Sequence, residues 1–118
     1  MITDKIRKGI EHRASVDDEW DYGVKQSWKN VLAIISENLE DTVYFIENDC
    51  TGDEFSWLSE IFNEIIDIFP TKRIIEALRE TAKKYPIEVE KYNINFCINE
   101  AEGYLEFISS TQNKNEKQ

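Results

Sequence analysis

Residues 53–69 read DEFSWLSEIFNEIIDIF, and this stretch decides the fold class. Phe55, Leu58, Ile61, Phe62, Ile65, Ile66 and Phe69 recur at steps of three and four. A helix turns once in 3.6 residues, so that spacing gathers them on one face. Glu60, Asn63, Glu64 and Asp67 fall on the opposite face. One side suits the centre of a core and the other suits water. Pro70 ends the element, because it lacks an N–H and disfavours helical backbone at Phe69.

Moving outward, Thr71 caps a second helix that turns Ile74, Ile75, Leu78, Ala82 and Tyr85 inward and closes at Pro86. Beyond it, Ile94, Ile98, Ala101, Leu105 and Ile108 form an i, i+4, i+7, i+11, i+14 ladder, the mark of a long helix. Ile94, Phe96 and Ile98 also alternate, which leaves a strand over 93–98 open; the ladder extends further and favours helix. On the N-terminal side, 48–53 is loop chemistry rich in Asn, Asp, Thr and Gly. Before it, Val43 to Ile46 is a continuous apolar run whose length fits either a helix or a strand over 43–47. Trp20, Val24, Trp28, Val31, Leu32 and Ile35 keep helical spacing, with a Ser15–Asp18 pair resembling a capping box and Gly23 as a point of kinking. Ile2, Ile6 and Ile10 predict a short helix over 3–13 with Thr3 as its cap. Lys5, Arg7, Lys8 and Arg13 make this the basic end. The expectation is an all-α fold: a single compact domain of five or six helices over 1–110, built of stacked antiparallel helical hairpins, with a polar, disordered tail at 111–118.

Composition agrees. A length of 118 residues suits one domain with a real core. Hydrophobic residues at 41% and aromatics at 12% exclude a disordered chain. Only 4 Gly and 2 Pro are too few for an all-β fold with many tight turns. A formal net charge of −10 argues against direct nucleic-acid binding, which needs clustered cations on phosphates. It suits a basic partner instead. Cys50 and Cys97 form no CxxC and no zinc spacing with the single His12, so both read as thiols in a reducing cytoplasm. The N-terminal residues contain no apolar signal core, and no run approaches the ~18 apolar residues of a membrane span.

No catalytic or metal pattern emerges. Asp49, Thr51, Asp53 and Glu60 match four positions of a calcium loop, but Glu54 stands where the loop needs Gly. Glu60 with Glu64, and Glu102 with Glu106, lack the Glu-x-x-His partners of a di-iron bundle. His12 is the only histidine, and neither GxSxG nor a phosphate loop is present. The expectation is therefore a protein that is not an enzyme, with no metal and no cofactor. Two clusters pair tryptophan with acids: Asp17, Asp18, Trp20 and Asp21; and Asp49, Asp53, Glu54 and Trp57. Aromatics supply binding energy and charge supplies steering, so each is a candidate partner-binding patch. The structural alternative is that each indole is core and the acids cap helices, which suits Trp28 on its apolar ladder best.

FSWLSEIFNEII at Phe55–Ile66, IIEALRETAKKYP at Ile74–Pro86 and YNINFCINEAEGYL at Tyr92–Leu105 resemble a group of small bacterial immunity proteins of contact-dependent growth inhibition and polymorphic toxin systems. The resemblance implies a helical, cytosolic, non-enzymatic protein that binds a cognate toxin domain and occludes its active site or substrate face. The charge implies that this toxin is basic, as a nuclease must be to hold phosphate. A helical adaptor and a nucleic-acid-mimicking inhibitor of another basic protein are the alternatives. The sequence leaves the oligomeric state and the contact residues open.

Overall fold

Helical periodicity prevails along the whole chain. The structure, a computed structural model, describes the backbone of residues 2–116 and the side chains of 2–110. The elements are α1 (Ile2–Ser15), α2 (Asp21–Ile35), α3 (Leu39–Tyr44) running into a π turn (Phe45–Asp49), α4 (Gly52–Leu58), a 3₁₀ turn (Ser59–Ile61), α5 (Phe62–Ile68), α6 (Lys72–Lys84), α7 (Pro86–Lys91) and α8 (Ile94–Glu116). No strand occurs among the described residues. Counting α3 with its π turn, and α4 to α5 as one bent helix, gives seven helical segments among the described residues, in one compact body. The segment beyond the expected five or six is α7. Pro86 closes α6 as expected, but it also sits at the first position of a new helix, where its missing N–H costs nothing. Asn93, with φ 52°, then turns the chain into α8. In the expected tail at 111–118 the backbone of α8 runs to Glu116, and the side chains lie outside the described residues.

Both helix-or-strand ambiguities resolve as helix. Val43, Phe45 and Ile46 are buried while Tyr44 is exposed, a pattern that strict alternation cannot produce. Ile94 and Ile98 are buried one turn apart and Phe96 between them is exposed. The expected continuous helix over 53–69 is interrupted. Ser56 Oγ donates to the Asp53 carbonyl at 2.6 Å and Ser59 Oγ to the Ser56 carbonyl at 2.6 Å. Such back-bonding competes with the backbone ladder and bends helices, and here the turn tightens to 3₁₀.

The core is continuous. Leu58, Ile61, Phe62, Ile65, Leu78, Ile98 and Leu105, the residues the periodicities turn inward, are all buried, with Phe45 and Phe55 between them. α1 and α2 form an antiparallel hairpin: Ser27 meets His12 at 3.0 Å, and a Cβ on Gly9 would stand 2.5 Å from Val31. α6 and α8 also run antiparallel, tied by Arg79 to Asn99 and Glu102 at 3.0 Å each. α5 lies alongside α8, with Tyr104 donating to Asp67 at 2.9 Å. No helix among the described residues is long and apolar enough to cross a membrane.

Candidate functional site

Arg13 is the residue around which the two sequence patches meet. It stands in the last turn of α1, three residues after Ile10 and seven after Ile6, so it falls on the buried stripe of that helix. Its side chain is only 6% exposed. A buried guanidinium is costly unless paired, and this one has two carboxylates. Nη1 donates to Asp18 at 3.0 Å, and Nη2 donates to Glu60 at 3.0 Å. The guanidinium also lies 5.0 Å from the centre of the Trp57 ring and 5.9 Å from that of Trp28, within cation–π range. Trp28 Nε1 closes the network by donating to Glu60 at 3.3 Å. Burial alone would push the Arg13 guanidinium down; the bonds to Glu60 and Asp18 outweigh it and hold the group above its ordinary range. Its Nε is buried with no hydrogen-bond partner among the described residues.

The first patch lies in the turn between α1 and α2. Asp17 organises it: its carboxylate accepts from the Glu19 N–H at 2.9 Å and its carbonyl from the Trp20 N–H at 3.0 Å. Trp20 is 57% exposed and Tyr22 68% exposed, and their rings are tilted against each other with centroids 6.0 Å apart. The indole rests on Gly23, where a Cβ would come within 2.2 Å of it. Gly23 thus seats Trp20 and does not kink α2, which runs on to Ile35. Asp17, Glu19 and Asp21, exposed and next to these two rings in the sequence, make no ion pair among the described residues.

The second patch is largely used within the fold. Glu54 and Thr51 form a capping box at the start of α4. Glu54 also pairs with Arg7 at 3.0 Å, and that pairing raises the arginine above its ordinary range. Asp49 accepts from Thr3 at 2.7 Å. Trp57 is half-buried beneath Arg13. Asp53 alone among its acids faces solvent. For this patch the structural alternative describes the residues well, whereas Trp20 is an exposed aromatic in an acidic turn.

The sequence reading missed Arg13, Glu60 and Tyr22. The Ile6–Ile10–Arg13 spacing was the available signal for the first. Glu60 is exposed with Glu64, as the spacing predicts, and from the 3₁₀ turn it also reaches Arg13 and Trp28. Among the described residues no three His, Cys, Asp or Glu side chains gather as a metal-binding group. Both thiols are raised above their ordinary range, chiefly by burial, so neither is primed as a nucleophile. Comparison of the chain with protein-family models, with curated proteins and with solved structures finds no match.

Proposed function

We propose that this chain is a non-enzymatic immunity protein that neutralises a basic toxin domain, a nuclease, by docking the Asp17–Tyr22 corner onto it. The observation that carries the reading is the exposed Trp20–Tyr22 pair, 57% and 68% accessible, set among Asp17, Asp18, Glu19 and Asp21. Two large rings held in water at a turn are typical interface anchors, because an aromatic brings much contact area for few frozen torsions. The carboxylates beside them match a surface built to hold phosphate, and they would speed encounter with it. The resemblance carried by 55–66, 74–86 and 92–105 supports the same reading. A toxin that attacks nucleic acid acts in the cytoplasm, which places its inhibitor there.

The test is growth of cells that express the toxin domain encoded beside this gene together with the parent protein, a Trp20→Ala/Tyr22→Ala variant, or an Asp17→Lys/Asp21→Lys variant. The expectation is loss of protection in both variants, with dissociation at least tenfold faster for the aromatic one. Full protection by both would move the interface elsewhere. Absence of binding by the parent would replace the immunity reading with that of a helical adaptor.

A further inference from the structure

Resting on that reading, we infer that Arg13 is a positioning residue: it holds the Asp17–Tyr22 turn as a preformed docking surface without touching the partner. The turn joins two helices and contains its own short-range bonds, but those bonds only shape it locally. The Trp20 indole rests on Gly23, and the turn's one side-chain hydrogen bond to residues outside it, among the described residues, is Asp18 to Arg13 at 3.0 Å. The two ends of that tie differ sharply. Asp18 is 78% exposed and Arg13 only 6%. An exposed ion pair usually contributes little, because freezing two long side chains and screening by water offset the attraction. Here one partner is already frozen. Trp57 and Trp28 pack on the guanidinium, and Glu60 fixes its far side at 3.0 Å. Only the short Asp18 side chain loses freedom when the tie forms, so more of the attraction survives as stabilisation.

The consequence is mechanical. α1 supplies Arg13, α2 supplies Trp28, and the α4–α5 bend supplies Trp57 and Glu60. The tie therefore refers the position of the turn to three elements at once. It also explains why Trp57, part of the second sequence patch, bears on the first: it sits beneath the guanidinium that holds Asp18. A docking loop fixed before encounter loses less entropy on binding, and the gain appears as slower dissociation.

The decisive measurement is amide hydrogen exchange on the protein alone, comparing the parent with Asp18→Asn and Arg13→Lys. Asp18→Asn keeps an acceptor but removes the charge from one of the two groups paired with Arg13, so the thermal midpoint falls modestly while the Glu19 and Trp20 amides exchange faster, on the order of tenfold and well beyond the change at core amides. Arg13→Lys, which cannot serve Asp18 and Glu60 with one planar fork, gives the same local signature. Unchanged exchange at Glu19 and Trp20 in Asp18→Asn overturns the inference. With the toxin domain encoded beside the gene, Arg13→Lys is expected to raise the dissociation rate several-fold with association unchanged; equal dissociation rates also overturn it. The exchange arm uses no partner, so a chain that binds no toxin defeats the proposed function and leaves this inference to stand or fall by itself.

Discussion

Trp20 and Trp57 stand in similar acidic surroundings along the chain, and the fold gives them opposite roles. Helical spacing places Trp20 on the same ladder as Val24 and Trp28, while its acidic neighbours make it a candidate exposed anchor, so the sequence leaves both open. The helix in fact begins at Asp21, and Trp20 occupies the cap position with φ −92° and ψ 82°. A side chain on non-helical backbone leaves the stripe, so periodicity could not locate it. Arg13 was the reverse case: its place on the Ile6–Ile10 stripe was legible, but the carboxylates that make its burial tolerable come from five and 47 residues away. Two substitutions separate the roles. Trp57→Ala removes a half-buried ring and uncovers Arg13, at a cost of roughly 2–4 kcal/mol, below or within the range for fully buried aromatics. Trp20→Ala removes a ring that rests on one glycine and faces water, so it should cost less than about 1 kcal/mol. Urea unfolding followed by far-ultraviolet dichroism measures both. Equal losses would mean that Trp20 belongs to the core and is no free anchor.

At the scale of elements, the all-α class was legible because the inner stripes of 55–69, α6 and α8 each repeat over several turns. Local departures from the α-helix were not, because distant contacts select them. The π turn at Phe45–Asp49 shows this. Its closing bond runs from the Cys50 N–H to the Phe45 carbonyl at 2.8 Å, five residues back. The Thr51 N–H is taken by Glu54 at 2.9 Å. The carbonyls displaced at this turn find side chains from other helices: Ile46 accepts from Thr81 at 2.9 Å, Glu47 from Lys84, and Asp49 from Arg7. Nothing in residues 43–49 announces those donors. Thr81 is fully buried, and its hydroxyl also lies 2.8 Å from the Ala77 carbonyl. One hydroxyl hydrogen cannot serve both. Ala77 lies inside α6, where the ladder already provides an N–H, so the Ile46 carbonyl is the one that needs it. Thr81→Val keeps the shape and removes the donor. The expected cost is about 1–3 kcal/mol, from a buried carbonyl left unsatisfied. Denaturant unfolding with an unchanged m-value tests it, and a variant as stable as the parent would show that the Ile46 carbonyl is satisfied by another group.

For the molecule as a whole, the net charge of −10 on a body with a radius of gyration of 14.5 Å makes two predictions of opposite direction. Like charges crowded into a compact state repel one another, and unfolding spreads them apart. Raising sodium chloride from about 0.02 M to about 0.3 M shortens the screening length from roughly 20 Å to roughly 6 Å. The repulsion then falls, and stability should rise by on the order of 1–2 kcal/mol. Screening also weakens attractive pairs. Arg73–Glu47, Arg79–Glu102 and Lys83–Glu80 are partly or largely exposed and contribute little each, while Arg13 is buried and feels salt least. The unbalanced charge should therefore win, and the thermal midpoint should climb over this range. Binding in the proposed complex should respond the other way. Steering of a basic partner toward Asp17, Glu19 and Asp21 depends on the long-range field, so association should slow by on the order of tenfold. Dissociation, set in the proposed docking by the Trp20–Tyr22 pair, should change little. Thermal melts and stopped-flow association on the same salt series measure both. A midpoint that falls with salt would show that local pairs outweigh the net charge. An association rate indifferent to salt would show that the acidic turn does not face the partner.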